Sequence, residues 1–458
     1  MPPANNKIPK IFIDLFSGVG GFHIALKSLG CNLVFACEID ESARAVYISS
    51  YKLKKSVSFE KNIRSITRNT TSSNSSFLNV KEINNRIPTH DILCGGFPCP
   101  TYSKSGKQMG TSDRKRGTLY LDILKIIKAK RPKYIMLENV KNIVGPKHIK
   151  TYKKILKELD KYQYLTSKKI LIFSPHLLPQ KEGGTPQTRE RVFILGIRNP
   201  SKRDKESIKK LEMLSENMQN RAIMTIVGSK KITWSPDLWN FKNFIRKTKK
   251  ITSKELGELR ISNEENNYIN AWEDFVSRFP AKSTLPGFPL WEYVWKDKLI
   301  IPSNTPEWKI NFLRKNYHFY LSNKKYIDAW RGKSWGGKYI HDFPMSRRKF
   351  EWQANRHLFK SRRTLKELIL QLRPSGIRVK PPTYLPALVA INQTTILGPR
   401  ISGTKYFRRI SVREAASLQG LDQVDFSIVP SNKAYKQIGN AVCAPLVRKI
   451  AGLLMGFN

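Results

Sequence analysis

Cysteine is scarce in this sequence. Its five residues, Cys31, Cys37, Cys94, Cys99 and Cys443, are odd in number among 458 and never form a C-x-x-C spacing. That pattern excludes a disulfide framework and offers no zinc-type ligand set, so no metal is expected and a reducing compartment fits best. Long apolar runs are missing as well. None approaches the roughly 18 residues of a membrane-spanning helix, and Met1 to Lys10 lacks the apolar core of a signal peptide. The reading is a soluble, cytoplasmic protein with no membrane partner. Acidic side chains are few, 35 against 82 basic ones, for a formal charge of +47. Such a chain expects a polyanion, with a merely solvated basic surface as the competing reading. Apolar material is sufficient to fold: 40% of the residues are hydrophobic, unlike a disordered basic tail.

Up to about residue 200, β-rich apolar runs at 11–16, 33–39, 91–96, 134–140, 169–174 and 191–197 alternate with amphipathic stretches such as TLYLDILKIIKAK from Thr118. That alternation predicts an α/β fold with a doubly wound sheet. The polar cluster NTTSSNSS at 69–76 predicts a loop. From about Ser201 the alternation stops, nine tryptophans gather between Trp234 and Trp352, and basic residues thicken; α/β-like composition resumes near RRISVREAASLQG. The expected organisation is one domain in two parts, 1–205 and 399–458, with a second domain inserted over 206–398.

DLFSGVGGFHIAL reads as strand, tight turn and helix, with Gly18, Gly20 and Gly21 letting the backbone approach a ligand at the helix N-terminus. A third fingerprint glycine is absent, His23 standing in its place. Glu38, at the end of the next strand, can accept hydrogen bonds from two ribose hydroxyls. Together these point to an adenosine-containing cofactor, or else to a plain βαβ unit with a solvated acid. GGFPCPTYSKSGK puts Cys99 on a stiff Pro-Cys-Pro turn at the carboxyl end of the sheet, where a thiol can be a nucleophile; the alternative is a small apolar residue at a strand end. YIMLENV brings Glu138 and Asn139 to the same edge, where a carboxyl of raised proton affinity can act as an acid. PQTRERVFILGI supplies Arg189 and Arg191, expected on one side by alternation and suited to phosphates and carbonyl oxygens, or to a surface salt bridge.

In chain order DLFSGVGG, CEID, GGFPCPTYSKSGK, RGTLY, LENV, TPQTRERVFILGI, RRISVREAASLQG and AYKQIGNAVCAPLV resemble the blocks of the DNA (cytosine-5) methyltransferases of bacterial restriction-modification systems, over 11–200 and 405–450. The resemblance implies a Rossmann-like S-adenosylmethionine-dependent domain split around a target-recognition domain, with the C-terminal block packing beside the N-terminal one. It makes Cys99 the nucleophile, Glu138 the carboxyl at cytosine N3, and Arg191, with Arg189, the arginines at the base. The implied cofactor pocket falls on Phe16, Gly18, Val19, Gly20, Gly21, Glu38, Ile39, Asn62, Ile63, Pro98, Leu119, Asn440 and Val442, and S-adenosylhomocysteine is the implied product. Three positions depart from the family: Asn62 replaces an Asp, Pro100 a Gln and Cys443 a Pro. The Asn62 carbonyl can still accept a bond from an adenine amino group.

The implied substrate is double-stranded DNA, bound by a monomer, with a cognate restriction endonuclease acting separately. Ser103, Ser105, Lys107 and Arg116, in the polar loop after Cys99, are expected at phosphates, as are Arg347 and Arg348 in FPMSRRKFEWQANRHLFKSRR, where most aromatics are expected to be core. An RNA cytosine methyltransferase, a non-catalytic DNA-binding protein and a nicotinamide oxidoreductase are the alternatives; the basic insert, the intact Cys99, Glu138 and Arg191, and the missing glycine count against them in turn.

Overall fold

A computed structural model of the chain describes residues 11–53, 55–69, 76–97, 118–227, 241–245, 251–354, 363–388 and 395–456. Pro98, Cys99, Ser103, Ser105, Lys107, Arg116 and most of the polar cluster at 69–76 lie outside the described residues. The chain forms two compact units: 1–240 with 386–392 and 415–458, and 241–385 with 393–414.

The first unit runs β1 (Ile11–Leu15), α1 (Gly21–Lys27), β2 (Asn32–Cys37), α2 (Glu41–Tyr51), β3 (Ser58–Glu60), α3 (Ile63–Thr67), α4 (Val80–Arg86), β4 (Ile92–Gly96), α5 (Leu119–Lys130), β5 (Tyr134–Val140), α6 (Ile149–Lys161), β6 (Tyr164–Thr166), β7 (Leu171–Phe173), β8 (Arg191–Arg198) and α7 (Lys202–Val227). Its strands make one sheet in the order β3-β2-β1-β4-β5-β8, with β6 and β7 both pairing with β8. Strands β1 to β5 are parallel, whereas β8 runs antiparallel to β5, and β6 and β7 antiparallel to β8. The chain steps outward from β1 through β2 to β3, then returns to β4 on the other side of β1. That reversal opens a crevice at the carboxyl ends of the strands.

Both faces of the sheet are covered, so its strands read as near-continuous apolar runs. Ile13, Leu93, Ile135 and Ile194 pack with α5 and α6 residues on one face; Phe12, Ile92, Met136 and Phe193 pack with α1 on the other. The C-terminal elements are α14 (Ser431–Asn440) and α15 (Ala444–Leu454), preceded by α13 (Val412–Gln419). Leu446, Val447 and Ile450 of α15 share a core with Phe22, Ala25 and Leu26 of α1. The close approach requires Gly21, where a Cβ would stand 2.6 Å from Val442.

The unit borders differ from those expected. The break placed at 205/206 falls inside α7, because Ile208, Leu211 and Met218 on its apolar face belong to the first unit's core, and Ser215 bonds both backbone groups of Ile172 in β7. An amphipathic helix stays with whatever covers its apolar stripe.

The second unit contains α8 (Ser253–Leu259), α9 (Asn263–Arg278), β9 (Leu290–Trp291), α10 (Glu307–Ser322), α11 (Lys324–Arg331), β10 (Ser334–Trp335), β11 (Lys338–Tyr339), β12 (Lys349–Trp352), β13 (Ile369–Arg373), β14 (Gly376–Lys380), β15 (Thr395–Leu397), α12 (Pro399–Ser402) and β16 (Arg408–Arg409). Six of its strands form a sheet, β16-β15-β13-β14-β12-β9. Because β16 pairs with β15 and β15 with β13, the ladder carries this unit past residue 398 to Glu414. Trp272 stacks on Phe350 at 4.6 Å, and Trp295, Trp330 and Trp352 are buried around it. Arg408 and Glu414 are both fully buried and joined by two bonds of 2.9 and 2.8 Å.

Breaking such a pair strands one charge in the core. Glu414→Gln is expected to destabilise the protein by about 3–5 kcal/mol, read by urea unfolding; a loss below about 1 kcal/mol would mean that water reaches the Arg408 guanidinium.

Candidate active site

One side of the crevice is built by the turn after β1. Phe16, Gly18 and Gly20 have φ of 56°, 53° and 87°, and a Cβ on Gly20 would collide with the Tyr51 ring. Tyr51 Oη donates to the Val19 carbonyl at 2.8 Å. Glu38 closes the turn from the next strand end: its Oε2 accepts from Gly18 N–H and its Oε1 from Asp40 N–H, each at 2.8 Å. Burial pushes this carboxyl up, against the pull of the Asp40, Gly18 and Ile39 amides. Of its roughly four lone-pair sites, capacity remains for a ligand. Beside it Ile39 is 71% exposed, an uncovered apolar side chain, and no described atom lies within 4 Å of the Cβ position of Gly18.

Other expected pocket residues also have structural roles. Asn62 caps α3, its Oδ1 accepting from Arg64 N–H at 3.0 Å, which uses one of the two lone pairs of the carbonyl assigned to an adenine amino group. Val19 and Ile63 are buried with their side chains in the core. Leu119 opens α5, half-buried; Asn440 is exposed at the end of α14, and Val442 packs over Gly21.

On the other side, Glu138 stands near the end of β5, opposite Gly96 of β4 and Phe193 of β8. Because β8 is antiparallel, its first residue, Arg191, lies at this same edge, and Arg191 Nε is 2.9 Å from Glu138 Oε1. The contact is an ion pair, and Oε1 is buried beneath it. Burial raises the proton affinity of Glu138, opposed first by Arg191 and then by Arg189. A neutral or anionic carboxyl beside a guanidinium can engage a planar amidine edge and its neighbouring carbonyl.

Arg189 does not join Arg191 at the crevice as expected. It precedes β8, so strand alternation does not govern it, and its buried fork donates to the carbonyls of Leu388, Gly439 and Ala441 at 3.3, 3.0 and 2.6 Å. Arg348, expected at phosphates, is paired with the fully buried Glu292 at 2.7 Å. Arg347 Nη1 donates to Arg373 O, while its own carbonyl accepts from Trp272 Nε1. Each arginine makes these bonds within the second unit and is partly buried.

Sequence reasoning assigned no role to three amides that organise this edge. Asn139 Nδ2 donates to Phe97 O at 3.4 Å, holding the chain two residues before Cys99. Gln187 accepts from Leu388 N–H and donates to Leu418 O. Gln419 donates to Ile438 O and Ala441 O. The alternation of Gln187, Arg189 and Arg191 was the available signal, but polar spacing alone does not separate a clamp from a contact.

A glycine turn with an acid at the end of β2 and a buried acid–arginine pair at the end of β5 define an open α/β enzyme with a nucleotide-type pocket and a reactive polar edge along one side of the sheet. Residues 11–455 match the family of C-5 cytosine-specific DNA methylases. The Type II methyltransferase M.AluI of Cellulosimicrobium cellulans is 35% identical over 98% of this chain and 92% of its own length. M.HhaI of Haemophilus parahaemolyticus is 36% identical over 41% of this chain and 49% of its own. The crystal structure of S. pombe Dnmt2 methyltransferase covers 97% of this chain and 98% of its own at 15% identity, with a TM-score of 0.45. The chain belongs to the C-5 cytosine-specific DNA methylase family and is a DNA (cytosine-5) methyltransferase.

Under the glycine turn His23 is buried, its Nδ1 2.7 Å from Tyr47 Oη, and burial lowers its pKa from 6.5 to about 4. The unfolded chain therefore binds the proton that the folded one refuses. The stability held above pH 6.5 is lost as pH falls toward 4, by up to about 3 kcal/mol. His23→Gln should flatten that part of the stability curve relative to the parent; curves that stay parallel from pH 7 to 4 would show His23 to be solvated.

Proposed function

We propose that the enzyme methylates C5 of a cytosine flipped out of double-stranded DNA, with Cys99 as nucleophile and the Glu138–Arg191 pair holding the ring. The buried pair, Glu138 near the carboxyl end of β5 and Arg191 at the start of antiparallel β8, carries this reading. Cytosine C5 is a poor nucleophile while the ring is aromatic. A thiolate adding at C6 turns C4, C5 and N3 into an enamine-like system whose C5 can attack an electrophilic carbon. Glu138 is placed to hold a proton at N3 as charge gathers there, and Arg191 to meet the O2 side. Loss of the C5 proton and expulsion of Cys99 then restore the ring. A recessed pair cannot reach a stacked base, and unstacking costs a few kcal/mol, which the positive surface offsets through phosphate contacts.

The open space at Gly18, the uncovered Ile39 and the remaining lone pairs of Glu38 fit S-adenosylmethionine. Glu38 would hold its ribose, Ile39 and Phe16 its adenine faces, and Asn62, Leu119, Asn440 and Val442 the remaining walls. When bound, it supplies an electrophilic methyl sulfonium and leaves as S-adenosylhomocysteine. The second unit reads the target sequence, since the ring-holding groups contact features that every cytosine shares. We place the enzyme in the cytoplasm as a monomer, paired with a separately encoded restriction endonuclease.

Two measurements test this. A duplex with 5-fluorocytosine at the target should trap the enzyme, because fluorine cannot leave as a cation and elimination stops. The adduct should survive denaturing electrophoresis, require S-adenosylmethionine, vanish in Cys99→Ser and form much more slowly in Glu138→Gln. An adduct that persists in Cys99→Ser would remove this nucleophile. Separately, Asn62→Ala should raise the S-adenosylmethionine dissociation constant about tenfold or less, and Asn62→Asp, which keeps the cap on α3, should recover most of it. Unchanged affinity in Asn62→Ala would take Asn62 out of the pocket wall.

A further inference from the structure

Arg189 is a buried cation whose partners are carbonyls rather than carboxylates. Its Nη2 bonds Gly439 O and Ala441 O, the two carbonyls that flank Asn440, and Nη1 reaches Leu388 O. Ala441 is the C-cap of α14, so the guanidinium sits at the negative end of a helix dipole, which stabilises a charge that burial penalises. Its own N–H is fixed by Ser174 Oγ at 2.9 Å, and Ser174 is in turn held by His176. Two residues later the same backbone delivers Arg191 to Glu138.

We propose that Arg189 is a positioning residue that couples the two sides of the crevice: its fork fixes the backbone around Asn440 on the cofactor side, and its charge stands behind the Glu138–Arg191 pair on the base side. This rests on the reading of Glu138 as the group that meets the base. Among the described residues the charges that act on Glu138 are Arg191, in contact with it, and then Arg189, two residues earlier on the same backbone; Arg189 in turn is acted on by Arg191, Glu138 and Cys443. With both arginines charged, an ionised Glu138 leaves the cluster with one excess positive charge, favourable for a ring that becomes electron-rich. Removing Arg189 removes that excess and makes Glu138 easier to protonate.

The two halves separate by substitution. Arg189→Lys keeps the charge but cannot span three carbonyls; the dissociation constant for S-adenosylhomocysteine, measured by calorimetry, should rise about tenfold. The limb of the methylation pH profile that Glu138→Gln abolishes should stay in place. Arg189→Met loses fork and charge, so the same limb should also move about one unit to higher pH. Gln419→Met, which frees the same helix end without touching the charge, should weaken S-adenosylhomocysteine about threefold with no displacement of the limb, and decides the clamp if Arg189→Met does not fold. Arg189→Lys that binds S-adenosylhomocysteine like the parent and loses only duplex affinity would overturn the clamp and make Arg189 a DNA contact. A limb that stays put in folded Arg189→Met would overturn the electrostatic half. If Glu138→Gln leaves every limb intact, the reading of Glu138 falls while the dissociation constants still decide the clamp.

Discussion

The antiparallel pairing of β8 with β5 determines where charge can stand in this sheet. In a wholly parallel sheet the first residue of a strand lies at the edge opposite the last residue of its neighbour. Over the seven residues of β5 that separation is roughly 20 Å at ~3.3 Å per residue. Reversing β8 brings Arg191 to the carboxyl edge, where the parallel strands already end in the glycine turn, Glu38, Gly96 and Glu138. The same reversal brings the segment approaching β8 to the C-terminal return, Gln187 to Leu418 of α13 and Arg189 to the end of α14, so that one short stretch of chain supplies both the cation paired with Glu138 and the bonds to those helices.

The shortage of acids acquires a structural meaning from how they are spent. Asp122 is bound by Arg68, Glu292 by Arg331 and Arg348, Glu351 by Arg373 and Arg378, and Glu414 by Arg408. Arginine's planar fork suits these low-dielectric sites, where an unpaired carboxylate would be costly. With only 35 acids to oppose 82 bases, those committed inside cannot neutralise the outside. The excess falls on exposed lysines and arginines, a distribution that favours a polyanionic duplex while leaving the interior locally balanced.

The sheet was legible because buried parallel strands are apolar throughout and are separated by amphipathic helices; the runs containing Ile11–Leu15, Ile92–Gly96, Tyr134–Val140 and Arg191–Arg198 stand out on that ground alone. Three-residue strands such as β3 and β6 carry too few positions for a period to show. Glu38, Glu138 and Arg191 were legible from their places at strand ends. Arg189 was not: it shares Arg191's chemistry and spacing, and only the return of α14 decides that its fork meets carbonyls. Asn62 reads from sequence as a ligand contact, and only the start of α3 at the next residue shows that it is also that helix's cap. Arg348 looked like a phosphate contact because its partner, Glu292, is 56 residues away in sequence. The borders were misread for the same reason: α7 and β15 are assigned by what covers or pairs with them, information that composition does not hold.

The separation of chemistry from discrimination follows from how much of the base the buried pair can touch. In the mechanism proposed above, Glu138 and Arg191 meet groups that every cytosine carries, so their affinity would be the same for a cytosine in any sequence context. Discrimination among sites must come from contacts to neighbouring base pairs, each worth about 1–3 kcal/mol. Those contacts need side chains whose hydrogen-bonding capacity is still free. Arg348 is oriented by its bond to Glu292, and Arg373 and Arg378 by theirs to Glu351. Such pairs join elements of the second unit to one another. A rigid unit loses less conformational entropy on ordering its contacts, so more of each contact's energy is available to distinguish one base pair from another.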